Sequence, residues 1–175
     1  MAVNRGKQFE EVVRQAFEAV EGVSVDRLHD QTTGYIGSSN ICDFIVYKKP
    51  YEYYIECKSV HGNTLSIHSV PKPNKHGVLH GLYGSITDTQ WEGLLAKTKI
   101  KGVVAGILCW WVDTDVTKFL PIQELAEMRS WGMKSVHYNM MAGYKVEGQK
   151  KRVFYDYDML KLLKRLESKE DEKYE

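Results

Sequence analysis

The chain has 175 residues, 43% hydrophobic and 27% charged, with a formal charge of +1. That balance suits a single globular domain large enough to bury a real core. No apolar run reaches the length of a membrane span, and the start, MAVNRGKQFEE, lacks the apolar core of a secretory signal, so a cytoplasmic protein without membrane partners is expected.

Residues 5–21, RGKQFEEVVRQAFEAVE, form the clearest predicted helix. Phe9, Val12, Val13, Ala16, Phe17 and Val20 recur at helical spacing, and Gly22 ends the run. VSVDRL, from Val23, is a short strand candidate, and HDQTTGYIGSSN (29–40) reads as a polar, Gly-rich loop. DFIVYKKPYEYYIECKS (43–59) reads as a hairpin, with strands near 42–47 and 52–59 around KKPY. Residues 60–85 read as a long loop with one short strand at TLSIHSV, and a loop of that length is usually functional. Residues 87–99 look helical, GVVAGILCWWV (102–112) is a buried strand with Trp110 and Trp111 in the core, and PIQELAEMRSWG (121–132) is a helix ending at Gly132. The stretch 136–155 has no clear period and carries a basic turn, KVEGQKKR. YDMLKLLKRLES is a final amphipathic helix, with Asp156 or Asp158 near its positive end. This order predicts an α/β domain with a mixed central sheet.

Cys42, Cys57 and Cys109 are isolated, without CxxC spacing, and are read as buried thiols rather than a disulfide framework or a zinc site. Four Glu and one Asp against two Lys give the segment 167–175 a charge of −3, which leaves +4 on residues 1–166, a balance compatible with a polyanionic partner. No Walker loop, GxSxG or dinucleotide fingerprint is present, so no nucleotide cofactor is expected.

The hairpin carries the chemistry. Side chains alternate along a strand, so Glu52, Tyr54, Glu56 and Lys58 share one face, while Tyr53, Ile55 and Cys57 share the other. If the turn is symmetric about the Lys49–Pro50 bond, paired residue numbers sum to 99 and Asp43 lies opposite Glu56. Opposed Cβ atoms sit roughly 4.5–5.5 Å apart, and a slip of one residue would turn Asp43 to the wrong face. Two carboxylates that close repel unless a cation lies between them, and hard oxygen ligands select Mg²⁺, with Mn²⁺ as a substitute. Lys58 would stand beside that ion, placed to orient a water or steady charge on a phosphate. The same residues also fit a solvated hairpin face with a Glu–Lys cross-strand pair. On the first helix, Glu10 lies about 20° from Phe17, at the border of the apolar stripe, whereas Glu11 points away.

NRGKQFE, then GSSNICDF, then YYIECKS together resemble the PD-(D/E)xK nuclease superfamily, and RecU-type Holliday-junction resolvases within it. The likeness continues through ITDTQWEGLL, GVVAGILCWW and FLPIQELAEM to VFYDYDMLKLL, and so covers most of the chain. It implies a restriction-endonuclease-like core with a mixed sheet flanked by helices. Carried over residue by residue, it implies metal binding by Asp43, Glu56 and the Cys57 backbone carbonyl, a catalytic Lys58, and an additional acidic contribution from Glu10. It also implies a metal-proximal Gln90, although Thr87-Asp88-Thr89-Gln90 equally spells a helix capping box.

The chain departs from the family pattern at Ile41, where a Thr is usual, and in the shortened segment ahead of Asp43. The loop after Lys58 is instead longer and basic. Arg5, Lys7, Lys72, Lys75 and His76 are the candidate DNA contacts, with a plain surface loop as the rival for the last three. His76 and His80, with His61 and His68 nearby, have no thiolate partner and read as solvated or phosphate-facing rather than as zinc ligands.

The implied function is Mg²⁺-dependent endonucleolytic resolution of Holliday junctions in DNA recombination and repair, by a homodimer on four-way DNA, leaving a 5′-phosphate and a 3′-hydroxyl. The implied origin is bacterial or phage. A PD-(D/E)xK nuclease of flap, mismatch or restriction type is the alternative, and a non-cleaving junction-binding protein is a third reading. Residues 1–166 are expected to form the single nuclease domain and 167–175 a flexible charged tail.

Overall fold

The computed structural model describes residues 4–28, 40–150 and 155–174. Helix α1 (Arg5–Glu18) starts at Asn4, whose side chain accepts from the Lys7 amide. Strand β1 (Ser24–Arg27) leads to the hairpin of β2 (Phe44–Lys48) and β3 (Tyr51–Val60). The long loop that follows contains β4 (Thr64–Ser66) and a small hairpin of β5 (Lys72–Pro73) and β6 (Leu79–His80). Next come α2 (Asp88–Lys97), β7 (Val103–Trp111), β8 (Val116–Pro121) and α3 (Ile122–Ser130). Four short strands, β9 (Ser135–His137), β10 (Tyr144–Lys145), β11 (Gly148–Lys150) and β12 (Tyr155–Tyr157), precede α4 (Met159–Glu172).

The central sheet runs β1-β2-β3-β7-β8-β10. Its pairs are antiparallel except β3 with β7, which are parallel, so the fold is α/β with a mixed sheet flanked by helices. One face is covered by α1 and α4, through Phe9, Val13, Phe17, Leu162, Leu163 and Leu166 packed on Phe44, Tyr53 and Ile55. The other face is covered by α2 and α3, through Leu94, Leu125 and Met128 packed on Ile107, Cys109 and Trp111. Each such aliphatic side chain contributes about 1.5–3 kcal/mol on full burial. Strand β3 lies in the middle, and its alternation sends Tyr53, Ile55 and Cys57 to the α1 side and Tyr54 to the α2 side. Glu56 and Lys58 follow Tyr54 on that second face.

Several expectations are revised. VTKFLP forms a full sheet strand, β8, without a clear signal in the linear chain, because its apolar pattern is broken by a buried Lys118 whose ammonium donates to the Met140 carbonyl. YDYD does not open the last helix: Tyr155–Tyr157 is a strand with Asp156 opposite Gln149, and only Asp158 caps α4, accepting from the Lys161 amide at 3.0 Å.

The charged segment expected to be flexible continues α4 as far as Glu172. Glu167 accepts from Lys48 at 2.6 Å and from the Tyr53 hydroxyl at 3.0 Å, and Asp171 accepts from the Tyr51 hydroxyl at 2.6 Å. Donors supplied by the distant hairpin turn hold acids that look solvated in the linear chain. Of the expected loop 29–40, all but Asn40 lies outside the described residues. Among the described residues, no helix is long and apolar enough to cross a membrane.

Candidate active site

The β2–β3 ladder pairs Phe44 with Ile55 and Lys48 with Tyr51 across a two-residue turn, so every pair sums to 99, as the symmetric turn requires. The ladder proper begins at Phe44. Asp43, one residue earlier, donates its amide to the Ile55 carbonyl at 3.1 Å, and its carboxylate accepts from the Cys57 amide at 2.7 Å. In an extended strand the N–H and C=O of one residue point to the same edge. The Cys57 carbonyl is therefore directed to the side where Asp43 lies.

Glu56 is only 4% exposed. One of its oxygens, Oε1, accepts from the Gln90 amide nitrogen at 2.6 Å and lies 2.9 Å from the Lys58 ammonium. Lys58 also donates to the Gln90 side-chain oxygen at 3.2 Å. Burial pushes the Glu56 carboxyl up to about 7, with Lys58 pulling it down and the Asp43 carboxylate, which hydrogen-bonds to it, pushing it up. Two acids that share a site in this way titrate as a pair.

Of the two readings of Gln90, the capping box is present, and the same side chain also joins this cluster. It is the fourth member of this cluster and also the capping-box residue of α2: its oxygen accepts from the Thr87 amide at 3.0 Å, and its own amide donates to the Thr87 hydroxyl at 3.2 Å. The N-terminal turn of α2, with its partial positive charge, thereby meets the most buried acid of the sheet.

The other candidates fall in three places. Glu10 pairs with Arg27 at 2.5 Å, and its charge helps hold up the Cys57 thiol, so it belongs to the α1 side of β3. Glu11 bonds Arg14 at 2.6 Å and Gln15 at 2.7 Å along the outside of α1. Arg5 and Lys7 are exposed on the first turn of α1, which lies over the end of β3: a Cβ on Gly6 would sit 3.7 Å from the Ser59 hydroxyl. Lys72, Lys75 and His76 are exposed on the β5–β6 hairpin, whose turn is held by Asn74 accepting from the amides of His76 and Val78 at 2.9 and 3.0 Å. All three cysteines are free and buried, and burial raises each thiol above its ordinary range, which excludes them as nucleophiles.

No cluster of three or more His, Cys, Asp or Glu suited to a metal occurs among the described residues. Asp43 and Glu56 nevertheless fit a divalent cation. They are hard oxygen donors, Glu56 is buried, the Cys57 carbonyl is directed to the same side, and the charge of Asp43 pushes Glu56 toward its protonated form.

No family model matches the chain, and no curated protein matches it. Among solved structures, the 1.6 Å structure of Archaeoglobus fulgidus Hjc, described as a Holliday junction resolvase from an archaeal hyperthermophile, aligns with 69% of this chain and 75% of that one, at 15% identity and a TM-score of 0.44.

Sequence reasoning missed one residue that positions this site, Gly93. A Cβ on Gly93, in the middle of α2, would meet the Ile41 side chain at 2.3 Å. Helix α2 thus rests directly on Ile41, two residues before Asp43, and the contact sets the gap between the strand bearing Asp43 and the helix bearing Gln90. The available signal was the glycine itself, since mid-helix Gly costs about 1 kcal/mol relative to Ala and calls for a packing reason.

Proposed function

We propose that the chain is a metal-dependent endonuclease of the PD-(D/E)xK type that cuts branched DNA, four-way junctions above all. The observation that carries this reading is the buried Glu56 carboxylate beside Asp43, with Lys58 at 2.9 Å and Gln90 at 2.6 Å. A protein that only binds DNA has no need to bury an acid beside a second acid and a lysine. Asp43, Glu56 and the Cys57 carbonyl would hold Mg²⁺, or Mn²⁺ in its place. When bound, such an ion polarises the scissile phosphate and makes a water acidic enough to attack near neutral pH.

The chain's own residues have separate tasks. Asp43 is oriented by the Cys57 amide, which fixes one of its carboxylate oxygens beside β3. Glu56 must lose its proton to act as a ligand, and Gln90 holds its carboxylate in one orientation. Lys58 keeps a positive charge beside the two acids and can donate to a water or to a phosphate oxygen. The choice of junctions rests on the order and spacing of the RecU-like motifs. Symmetric resolution requires two nicks, hence two copies related by a two-fold axis.

The test uses labelled four-way junction, linear duplex and single strand, each with Mg²⁺ or EDTA. Paired symmetric nicks on the junction alone are expected. Equal cutting of linear duplex would point to a PD-(D/E)xK nuclease of another specificity. Metal-independent binding without products would overturn the enzyme reading.

A further inference from the structure

A second cluster lies on the same face as the catalytic groups and takes no part in them. The Tyr83 ring stacks on Trp91 with centroids 4.6 Å apart and planes 7° from parallel. The Arg129 guanidinium lies 4.6 Å from the Tyr83 ring centre and 6.0 Å from that of Trp91. Three segments meet here: the end of the long loop, α2 and α3. The loop is firmly held, because the Asp88 carboxylate accepts from the amides of Gly81 and Leu82 at 2.9 and 3.0 Å. Gly84, at φ 65°, sits so close to Ser66 that an added Cβ would lie 2.7 Å from its backbone. Beside the stack opens a cavity of about 520 Å³, lined also by His68, Ser130 and Lys134.

The chemistry of this cavity is that of an anion site. Arg129 has five N–H donors. Among the described residues its only acceptor is His68 Nδ1, at 3.4 Å; its buried Nε has none, and no carboxylate pairs with it. No carboxylate among the described residues lines the cavity, whereas Lys134 adds a second, exposed cation. A guanidinium fixed by stacking presents a planar fork of donors, which matches the oxygens of a phosphate. A stacked nucleobase fits less well: Trp91 is 3% exposed beneath Tyr83, and Arg129 already occupies the ring environment. Trp91 directly follows Gln90 in α2, so the cavity and the catalytic cluster share one helical turn.

We propose that this cavity is a phosphate subsite, anchored by Arg129 and assisted by Lys134 and Ser130, that holds a backbone phosphate of the DNA other than the one being cut. The phosphate chemistry stands on the cavity itself; its assignment to DNA rests on the nuclease reading. The long basic loop then has a structural task, which is to carry Tyr83 onto Trp91 and hold Arg129 in place.

The experiment is equilibrium binding of labelled four-way junction and linear duplex, in EDTA and across a salt series. The wild-type chain is compared with Arg129→Gln, Arg129→Lys and Lys134→Gln, and the melting temperature of each is recorded. Arg129→Gln is expected to weaken binding about tenfold and to reduce the slope of log affinity against log salt by about 0.9, the value of one phosphate contact. Arg129→Lys should keep the slope and lose part of the affinity, since an ammonium supplies charge without the fork. Lys134→Gln should show a smaller change of the same sign. With Mg²⁺ present, the Arg129→Gln defect should appear in KM for DNA more than in kcat.

Unchanged affinity and slope in Arg129→Gln, in a protein that still cuts DNA, overturns the subsite and leaves the nuclease reading intact. If Arg129→Gln does not fold, unchanged affinity in Arg129→Lys together with an unchanged slope in Lys134→Gln overturns it equally. If the wild-type chain neither binds nor cuts DNA, the nuclease reading fails and inorganic phosphate decides the subsite. A melting temperature raised by millimolar phosphate, not raised in Arg129→Gln and raised less in Arg129→Lys, sustains a phosphate site supplied from another source. No rise in the wild type overturns it.

Discussion

The two ends of the β2–β3 hairpin both gather acids around a lysine, with opposite results. At the turn end, Glu167 accepts from both Lys48 and Tyr53, and Asp171 accepts from Tyr51. Glu167 and Asp171 thus each receive donors from the hairpin, and the cost falls on the tyrosines: hydrogen bonding to Asp171 pushes the Tyr51 hydroxyl up to about 12. At the open end, Glu56 accepts from Gln90 and lies beside Lys58, yet burial, with the Asp43 charge added, lifts it to about 7. The first cluster holds a helix to the sheet. The second leaves a buried acid raised toward neutral pH, in keeping with the proposed cation site.

The largest expected contrast comes from breaking each end in turn. Asp43→Asn or Lys58→Ala should lower cleavage of a four-way junction by about 10²–10³-fold or more while largely sparing binding. Tyr53→Phe, at the turn end, should leave turnover intact and cost about 1 kcal/mol in urea denaturation. Equal losses of activity from the two ends would erase the distinction.

A second contrast is pH dependence. Because the folded Glu56 carboxyl is raised from 4.5 to about 7, its contribution to stability is fully present below 4.5 and is lost as pH rises through about 7. In EDTA the wild-type chain should therefore lose on the order of 3 kcal/mol between pH 4.5 and 8, and Glu56→Gln should flatten that slope. Mg²⁺ added at pH 8 should restore stability to the wild-type chain alone. An identical pH profile for Glu56→Gln would mean that the strain lies elsewhere.

Smaller effects test the positioning of α2. Gly93→Ala would ordinarily gain about 1 kcal/mol in a helix. Here the contact with Ile41 should reverse the sign to a loss of about 1–3 kcal/mol and lower cleavage as Gln90 moves. Adding Ile41→Ala should recover part of both losses. The smallest effect is expected at Glu11→Gln, which should leave cleavage and melting temperature as in the wild type, since Glu11 hydrogen-bonds Arg14 and Gln15 on the outer face of α1. A dead Glu11 variant would discredit the placement of α1.

Much of this was legible before any coordinates. The apolar stripe of α1 places Phe9, Val13 and Phe17 in the core, where they lie, and the symmetric turn gives the observed register from Phe44 opposite Ile55 to Lys48 opposite Tyr51. The last turn of α4 was not legible, because nothing in ESKEDE announces that Lys48, Tyr51 and Tyr53 will meet it. The Arg129–Tyr83–Trp91 cluster joins residues from three separate segments and has no linear signature.

What the chain alone determines here are the properties that repeat locally: helical and strand periods, the capping box at Thr87, and a register counted from a two-residue turn. Each depends on bond geometry over a few residues. The tertiary structure decided which donors reach Glu56, how closely Gly93 lets α2 approach Ile41, and how far burial shifts the acid. Those depend on water being excluded by groups distant in sequence, and desolvation is a property of the packed molecule rather than of any segment.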